Sequence, residues 1–122
     1  MAQKILIIDD DVNIANLLKE RLNEHEYDVV VAHDAFQGIK LAHDESPDLI
    51  ILDIMLPGGG GITTFKNLSI SANTASIPVI FITAYDTEEV RRNVMGMGAK
   101  DFFTKPFKMD DILLKINNVL KK

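Results

Sequence analysis

The sequence predicts a doubly wound α/β domain, a (βα)5 chain whose parallel sheet is covered by helices on both faces. Three observations predict it. Short runs that are apolar at every position alternate with longer segments of helical spacing along the whole chain, and such runs suit strands buried on both faces of a parallel sheet. The length of 122 residues, 47% hydrophobic and 25% charged, fits one domain able to bury roughly two-thirds of its unfolded surface. It is too short by half for an eight-stranded barrel. No repeat, linker or low-complexity stretch divides the chain, so residues 1–122 read as a single domain.

Each element has its own warrant. Ile5-Leu6-Ile7-Ile8 is the first strand. Ile14, Leu17, Leu18 and Leu22 then share one helical face behind Asp10 and Asp11, either of which suits an N-cap. Val29-Val30-Val31 is the second strand; Phe36, Ile39 and Ala42 mark a second helix, ended by Ser46-Pro47. Leu49-Ile50-Ile51-Leu52 is the third strand, and Ile62, Phe65 and Leu68 a third helix that fades into the polar stretch 69–76. Val79-Ile80-Phe81-Ile82 is the fourth strand. Val90, Val94 and Met97 form the fourth helix, led by Thr87, with Glu88 and Glu89 in its first turn, and closed by Gly98. Phe102-Phe103-Thr104 is a short fifth strand. Ile112, Ile116, Val119 and Leu120 complete a fifth helix ending on Lys121-Lys122, where cations favour the dipole.

Composition narrows the function. With no cysteine there is no disulfide framework, thiolate metal site or thiol nucleophile. No apolar run approaches the length of a membrane span, and the N-terminus carries no cleavable signal pattern; the expectation is a cytoplasmic protein. Net charge is −5, which argues against direct nucleic-acid binding. The charge is uneven. Residues 1–61 carry 4 Lys/Arg and 12 Asp/Glu, residues 62–122 carry 9 and 6, so an acidic site is expected in the first half.

Ligands of open α/β sheets bind beyond the carboxyl ends of the strands. Strand one is followed there by Asp9, Asp10 and Asp11, strand three by Asp53, strand four by Thr83 and strand five by Lys105. Taken singly, most have duller readings: helix caps, a strand threonine, a surface lysine. Asp53 is harder to dismiss, since an acid inside Leu-Ile-Ile-Leu-Asp-Ile-Met-Leu is costly to bury without a partner. Together the acids repel one another and raise a pKa unless a cation intervenes. A hard ion such as Mg²⁺, with oxygen ligands, resolves the conflict. One carboxylate is then a candidate nucleophile toward phosphorus, with Thr83 and Lys105 placed to stabilise phosphoryl oxygens.

With these residues in view, the sequence resembles the CheY-like receiver domains of two-component response regulators over essentially its whole length, from Ile5 to Leu120. The motifs are specific as a set: the acidic pair after strand one, Asp53-x-x-Leu56-Pro57 after strand three, Thr83-Ala84 after strand four, and Lys105-Pro106-Phe107 after strand five. The resemblance implies a flavodoxin-like sheet of order 2-1-3-4-5. It makes Asp53 the phosphoacceptor and Asp9 and Asp10 the Mg²⁺-holding pair, with Asp10 the direct ligand. Met55 lends the metal its backbone carbonyl, Lys105 contacts phosphate, and Asp11 is left as a helix cap. The Lys105-Pro106 bond matches one that is cis in the family. The implied partner is a histidine kinase or histidine phosphotransfer protein. The chain is expected to catalyse only its own phosphorylation and dephosphorylation, not to be an enzyme in the turnover sense. Thr83 and the aromatic Phe102 are the implied switch. It repacks the face of the fourth helix, fifth strand and fifth helix to control a downstream protein or output domain.

Several departures bear on this. Phe102 stands where many members have Tyr, which removes a hydroxyl. Met55 and Tyr85 fill the two positions that tune dephosphorylation in the family, and their bulk predicts a long-lived phosphoryl state. On the output face, Arg91, Arg92, Asp101, Asp111 and Lys115 partly match a salt-bridged dimer surface, giving an expectation of phosphorylation-dependent homodimerisation. Lys100 and Asn118 depart from that pattern.

The glycines Gly58 to Gly61 lack a following Gly-Lys-Ser/Thr and read as a permissive loop, not a phosphate loop. His25, His33 and His43 read as solvated surface residues away from the site. The competing readings are a flavodoxin-like electron carrier, a Mg²⁺-dependent aspartyl-phosphate phosphatase, and a receiver-shaped interaction module working without phosphorylation. Three carboxylates where a flavin phosphate would sit oppose the first. The second places its nucleophile in an Asp-x-Asp pair at strand one and usually carries a cap domain; turnover of a small phosphate ester would favour it. The intact Asp10, Asp53, Thr83 and Lys105 oppose the third.

Overall fold

In a computed structural model, which describes residues 2–121, five strands and five helices alternate. They are β1 (Lys4–Ile8), α1 (Val12–Glu24), β2 (Asp28–Ala32), α2 (Ala35–Glu45), β3 (Leu49–Leu52), α3 (Gly61–Ile70), β4 (Val79–Thr83), α4 (Glu88–Gly96), β5 (Asp101–Thr104) and α5 (Met109–Leu120). The sheet is wholly parallel in the order β2-β1-β3-β4-β5. This is the doubly wound fold that the alternating pattern predicts, in the flavodoxin-like order that the resemblance implies.

Strand residues alternate between two cores. Leu6, Ile8, Ile50, Leu52, Phe81 and Phe102 face the side covered by α2, α3 and α4. Ile5, Ile7, Leu49, Ile51, Ile80 and Ile82 face the side of α1 and α5. The runs in β1 (from Ile5), β3 and β4 are apolar throughout because both faces are buried. β2 departs from that expectation. As an edge strand its three valines are half-buried.

Chain chemistry sets the helix ends. Asp11, not Asp10, caps α1, accepting the N–H groups of Asn13 and Ile14 at 3.1 and 3.2 Å. Thr87 caps α4 through the Val90 N–H at 3.1 Å. α5 ends at Leu120 with Lys121 left-handed, and Lys122 lies outside the described residues.

Two helical faces are phased differently from the sequence reading. In α2 the buried residues are Ala35, Gly38 and Ala42, while Phe36 is 81% exposed. The cause is close packing: a Cβ on Gly38 would lie 2.7 Å from Ile8 Cδ1, so the small residues must face β1 and Phe36 turns outward. In α1, Ala15, Leu18 and Leu22 form the buried stripe and Leu17 is half-exposed.

Candidate functional site at the carboxyl edge of the sheet

The site stands on β3, the central strand, and its neighbour β1. Backbone bonds extend β1 and β3 by one residue each, Asp9 N–H to Ala32 O and Asp53 N–H to Ile8 O, both 3.0 Å. Asp9 and Asp53 are therefore fixed by the sheet itself, at 0% and 3% exposure. Asp10 follows on the surface. Carboxylate oxygens of Asp9, Asp10 and Asp53 lie within 4.8 Å of one another.

The chain supplies part of the neutralisation. Lys105 Nζ lies 2.8 Å from Asp9 Oδ2 and 2.8 Å from Asp53 Oδ2. It donates a hydrogen bond to Asp53. The contact with Asp9 Oδ2 is an ion pair that leaves this buried oxygen without hydrogen-bond alignment. Local amides complete the cradle. Asp53 Oδ1 accepts the Met55 N–H at 3.0 Å, and Asp9 Oδ1 accepts the Asp11 N–H at 2.9 Å.

Burial pushes the Asp9 pKa up, and the neighbouring Asp53 charge adds to it; Lys105 and the Asp11 N–H pull it back without cancelling the rise. For Lys105, burial disfavours the ammonium, but the two carboxylates more than offset this and its pKa is raised. The acidic pocket is thus short of positive charge.

Thr83 ends β4, fully buried, and its Oγ1 accepts the Tyr85 N–H at 3.1 Å. The Lys105 N–H donates to the Thr83 carbonyl at 2.9 Å, which joins these two residues across neighbouring strands. Lys105-Pro106 is cis. Met55 and Tyr85 are 57% and 49% exposed. Beside the acids, Asp10, Ile54, Met55, Leu56, Pro57 and Gly60 line an open groove of about 460 Å³.

The glycine loop has two roles. Gly58, Gly59 and Gly60 all have positive φ (85°, 119° and 82°), where a side chain is strained. Gly61 is needed for proximity: a Cβ there would lie 2.0 Å from the Asp53 carbonyl oxygen and 2.7 Å from Ile54 Cα. Its N–H bonds the Ile54 carbonyl at 2.8 Å, so the start of α3 is seated directly against the residue after Asp53.

Two features escaped the sequence reading. His33 is exposed but not remote. It follows β2, and its Nδ1 lies 3.0 Å from the Asp9 carbonyl oxygen, which corrects its placement away from the site. The second is a network on the β4–β5 edge. Thr104 Oγ1 donates to Asp86 Oδ2 at 2.5 Å, and Arg91 reaches Asp86 at 3.1 Å. The Arg91 guanidinium also sits 4.6 Å above the ring centroid of Phe102, which is 3% exposed. The signal was present in the register: Asp86 lies three residues past Thr83 and Thr104 is paired with Thr83, so both fall at the same sheet edge. Other charges of this face also pair within the chain, Arg92 with Glu88 at 2.8 Å and Lys115 with Asp101 at 3.8 Å.

Comparison with known proteins agrees with this layout. The family model of the response regulator receiver domain matches residues 5–117. The receiver domain of a Francisella response regulator is 32% identical, with 98% of this chain and 97% of that one covered at a TM-score of 0.90. The BeF3-activated N-terminal receiver domain of RstA from Klebsiella pneumoniae is 29% identical, covering 98% and 100% at 0.90. A CheY-like receiver domain protein of Methanospirillum hungatei is 28% identical, covering 99% and 95% at 0.92. The match runs through every strand that carries the acids, the threonine and the lysine, and this chain belongs to the response regulator receiver domain family.

Proposed function

We propose that this domain accepts a phosphoryl group on Asp53 from a phosphohistidine of a histidine kinase or phosphotransfer protein, in a Mg²⁺-dependent reaction in the cytoplasm. The single observation that carries the reading is the clustering of Asp9, Asp10 and Asp53 with one ammonium shared between two of them. The donor set fits the ion. It is all oxygen, one carboxylate oxygen is buried without a hydrogen bond, and the net charge remains negative. Asp9, Asp10, Asp53 and the Met55 carbonyl would hold Mg²⁺, which when bound offsets negative charge on the carboxylates and the incoming phosphoryl group.

The chain's own residues do the rest. Asp53 is held by the Met55 amide at one oxygen and by Lys105 at the other, so its orientation is set before a donor arrives. Lys105 sits where it can follow charge from the carboxylate to a phosphoryl oxygen. Thr83 has its hydroxyl hydrogen to donate, since its oxygen already accepts from Tyr85. The α4–β5–α5 face carries the output to a downstream protein, an attached domain or a second copy of the chain.

The test is intact mass after incubation with acetyl phosphate, with Mg²⁺ and with EDTA, beside an Asp53→Asn control. One phosphoryl adduct that requires Mg²⁺ and Asp53 is expected. Absence of an adduct both with acetyl phosphate and with a panel of phosphohistidine donors would favour an interaction module that works without phosphorylation. Given an adduct, Met55→Asn should shorten its lifetime severalfold, because a small polar group replaces an apolar side chain beside the path of water.

A further inference from the structure

Asp10 is the exposed member of the acid cluster, and among the described residues its carboxylate has no hydrogen bond or ion pair. One of its oxygens nevertheless lies within 4.8 Å of oxygens of Asp9 and Asp53. No side-chain partner sets this aim, so the backbone must. The chain on either side is fixed. The Asp9 N–H bonds the Ala32 carbonyl at 3.0 Å, and the Asp11 N–H bonds Asp9 Oδ1 at 2.9 Å. Between them stands the Asp9–Asp10 peptide, whose rotation decides where the Asp10 side chain leaves the backbone.

His33 holds that peptide. In an unbroken parallel ladder the Asp9 carbonyl would accept the N–H of residue 34. The pairing of β1 with β2 ends at Ile8 and Ala32, and the His33 ring stands in for that donor, with Nδ1 3.0 Å from the Asp9 carbonyl oxygen. A carbonyl oxygen only accepts, so Nδ1 carries the proton. The imidazole has a firm base. The His33 N–H bonds Gln37 Oε1 at 3.1 Å, and the Gln37 N–H bonds Asp34 Oδ1 at 2.7 Å where α2 begins. The Ala35 N–H then bonds the Pro57 carbonyl at 3.2 Å, so one short loop reaches the chain at Asp9 and the chain beyond Asp53.

We propose that His33 is a positioning residue for Mg²⁺: its Nδ1–H bond to the Asp9 carbonyl fixes the Asp9–Asp10 peptide and so keeps the Asp10 carboxylate aimed into the acid pocket. The inference rests on the metal site proposed above. His33 acts through the main chain and not by charge, so another neutral donor at the same place must serve as well. The side-chain amide nitrogen of asparagine lies as many bonds from the backbone as Nδ1 does. His33→Asn therefore keeps the donor, whereas His33→Ala removes it. His33 is exposed, so neither variant opens the core.

The experiment measures Mg²⁺ affinity by NMR titration in the full chain, in His33→Ala and in His33→Asn, with melting temperatures taken in EDTA. The His33 ring-nitrogen shifts and the backbone order of residue 10 are read from the metal-free proteins at about pH 8, where the imidazole is neutral. Affinity is expected to be roughly threefold to tenfold weaker in His33→Ala and within about twofold of the parent in His33→Asn. Melting temperatures should move by no more than about 2 °C. The parent ring should show the Nδ1–H tautomer, and residue 10 should lose order in His33→Ala alone. Unchanged Mg²⁺ affinity in His33→Ala overturns the proposal, as does a His33→Asn chain that binds as weakly as His33→Ala. If the parent binds no Mg²⁺, the metal site fails first and the metal-free spectra decide: an Nδ1–H ring with loss of order at residue 10 supports the hold on Asp10, and an Nε2–H ring or unchanged order overturns it.

Discussion

The two charged regions of this molecule are built on opposite terms. At the carboxyl ends of β1 and β3, carboxylates are buried and outnumber the one cation that reaches them. On the α4–β5–α5 edge, charges are exposed or half-exposed and nearly balanced in pairs. The first arrangement concentrates negative charge that a bound cation would offset, and it is imposed by strands buried on both faces. The second holds weakly and locally, so it can rearrange without unfolding anything.

The contrast can be broken most forcefully at Gly61. Gly61→Ala forces a Cβ to within 2.0 Å of the Asp53 carbonyl, and the obstacle is backbone, which does not yield as a side chain would. The expected loss is roughly 3 kcal/mol in urea unfolding, with slower phosphorylation of Asp53. Retained stability would mean that α3 can stand further from β3 than its packing suggests.

Removing charge from the site should have the opposite effect. The folded pKa of Asp9 lies above the ordinary aspartate value, so the folded state holds that proton more tightly than the unfolded chain does. The metal-free fold therefore loses stability as pH rises from about 3.9 through the folded value. At neutral pH Asp9→Asn should stabilise the protein in EDTA by about 1 kcal/mol, a melting shift of roughly 3–6 °C. Mg²⁺ should then stabilise the variant much less than the parent. A lower melting temperature in EDTA would show that the Lys105 contact outweighs burial.

On the other edge the sign reverses and the scale shrinks. The Thr104 hydroxyl, and after it Arg91, hold the Asp86 pKa below the ordinary range. Its contribution is present above about 3.9 and lost as pH falls through the folded value. Arg91 and Phe102 resonances should stay fixed from neutrality down to about pH 4.5 and move only below that. A transition near pH 6 would point to a different group. Smallest of all is Lys115→Ala. Its 3.8 Å pair with Asp101 is about a third exposed, so the expected change in stability is well under 1 kcal/mol.

Much of this was legible in the sequence, and the reasons are physical. Strands buried on both faces must be apolar at every position, which made β1, β3 and β4 unmistakable. A carboxylate inside such a run has few structural explanations, so Asp53 marked the candidate site, and the residues after the other strands completed it. The rest depended on distance in three dimensions. The phase of α2 is set by how closely Gly38 approaches Ile8, and periodicity alone assigned Phe36 to the wrong face. Arg91 read as one of several surface charges because nothing along the chain says that a guanidinium eleven residues earlier will lie on the Phe102 ring. Likewise, the bond from His33 to the Asp9 backbone joins residues 24 positions apart.

The main-chain bond from the Lys105 N–H to the Thr83 carbonyl has a mechanical consequence. It locks the tips of β4 and β5 into one plate, so neither strand can slide past the other to carry a signal. The first joint beyond that plate is residue 84. Any stroke from the acid site must start as a swing of the chain about that fulcrum, with Asp86 two residues out along the arm. A lever this short converts a small swing at residue 84 into a local displacement at α4.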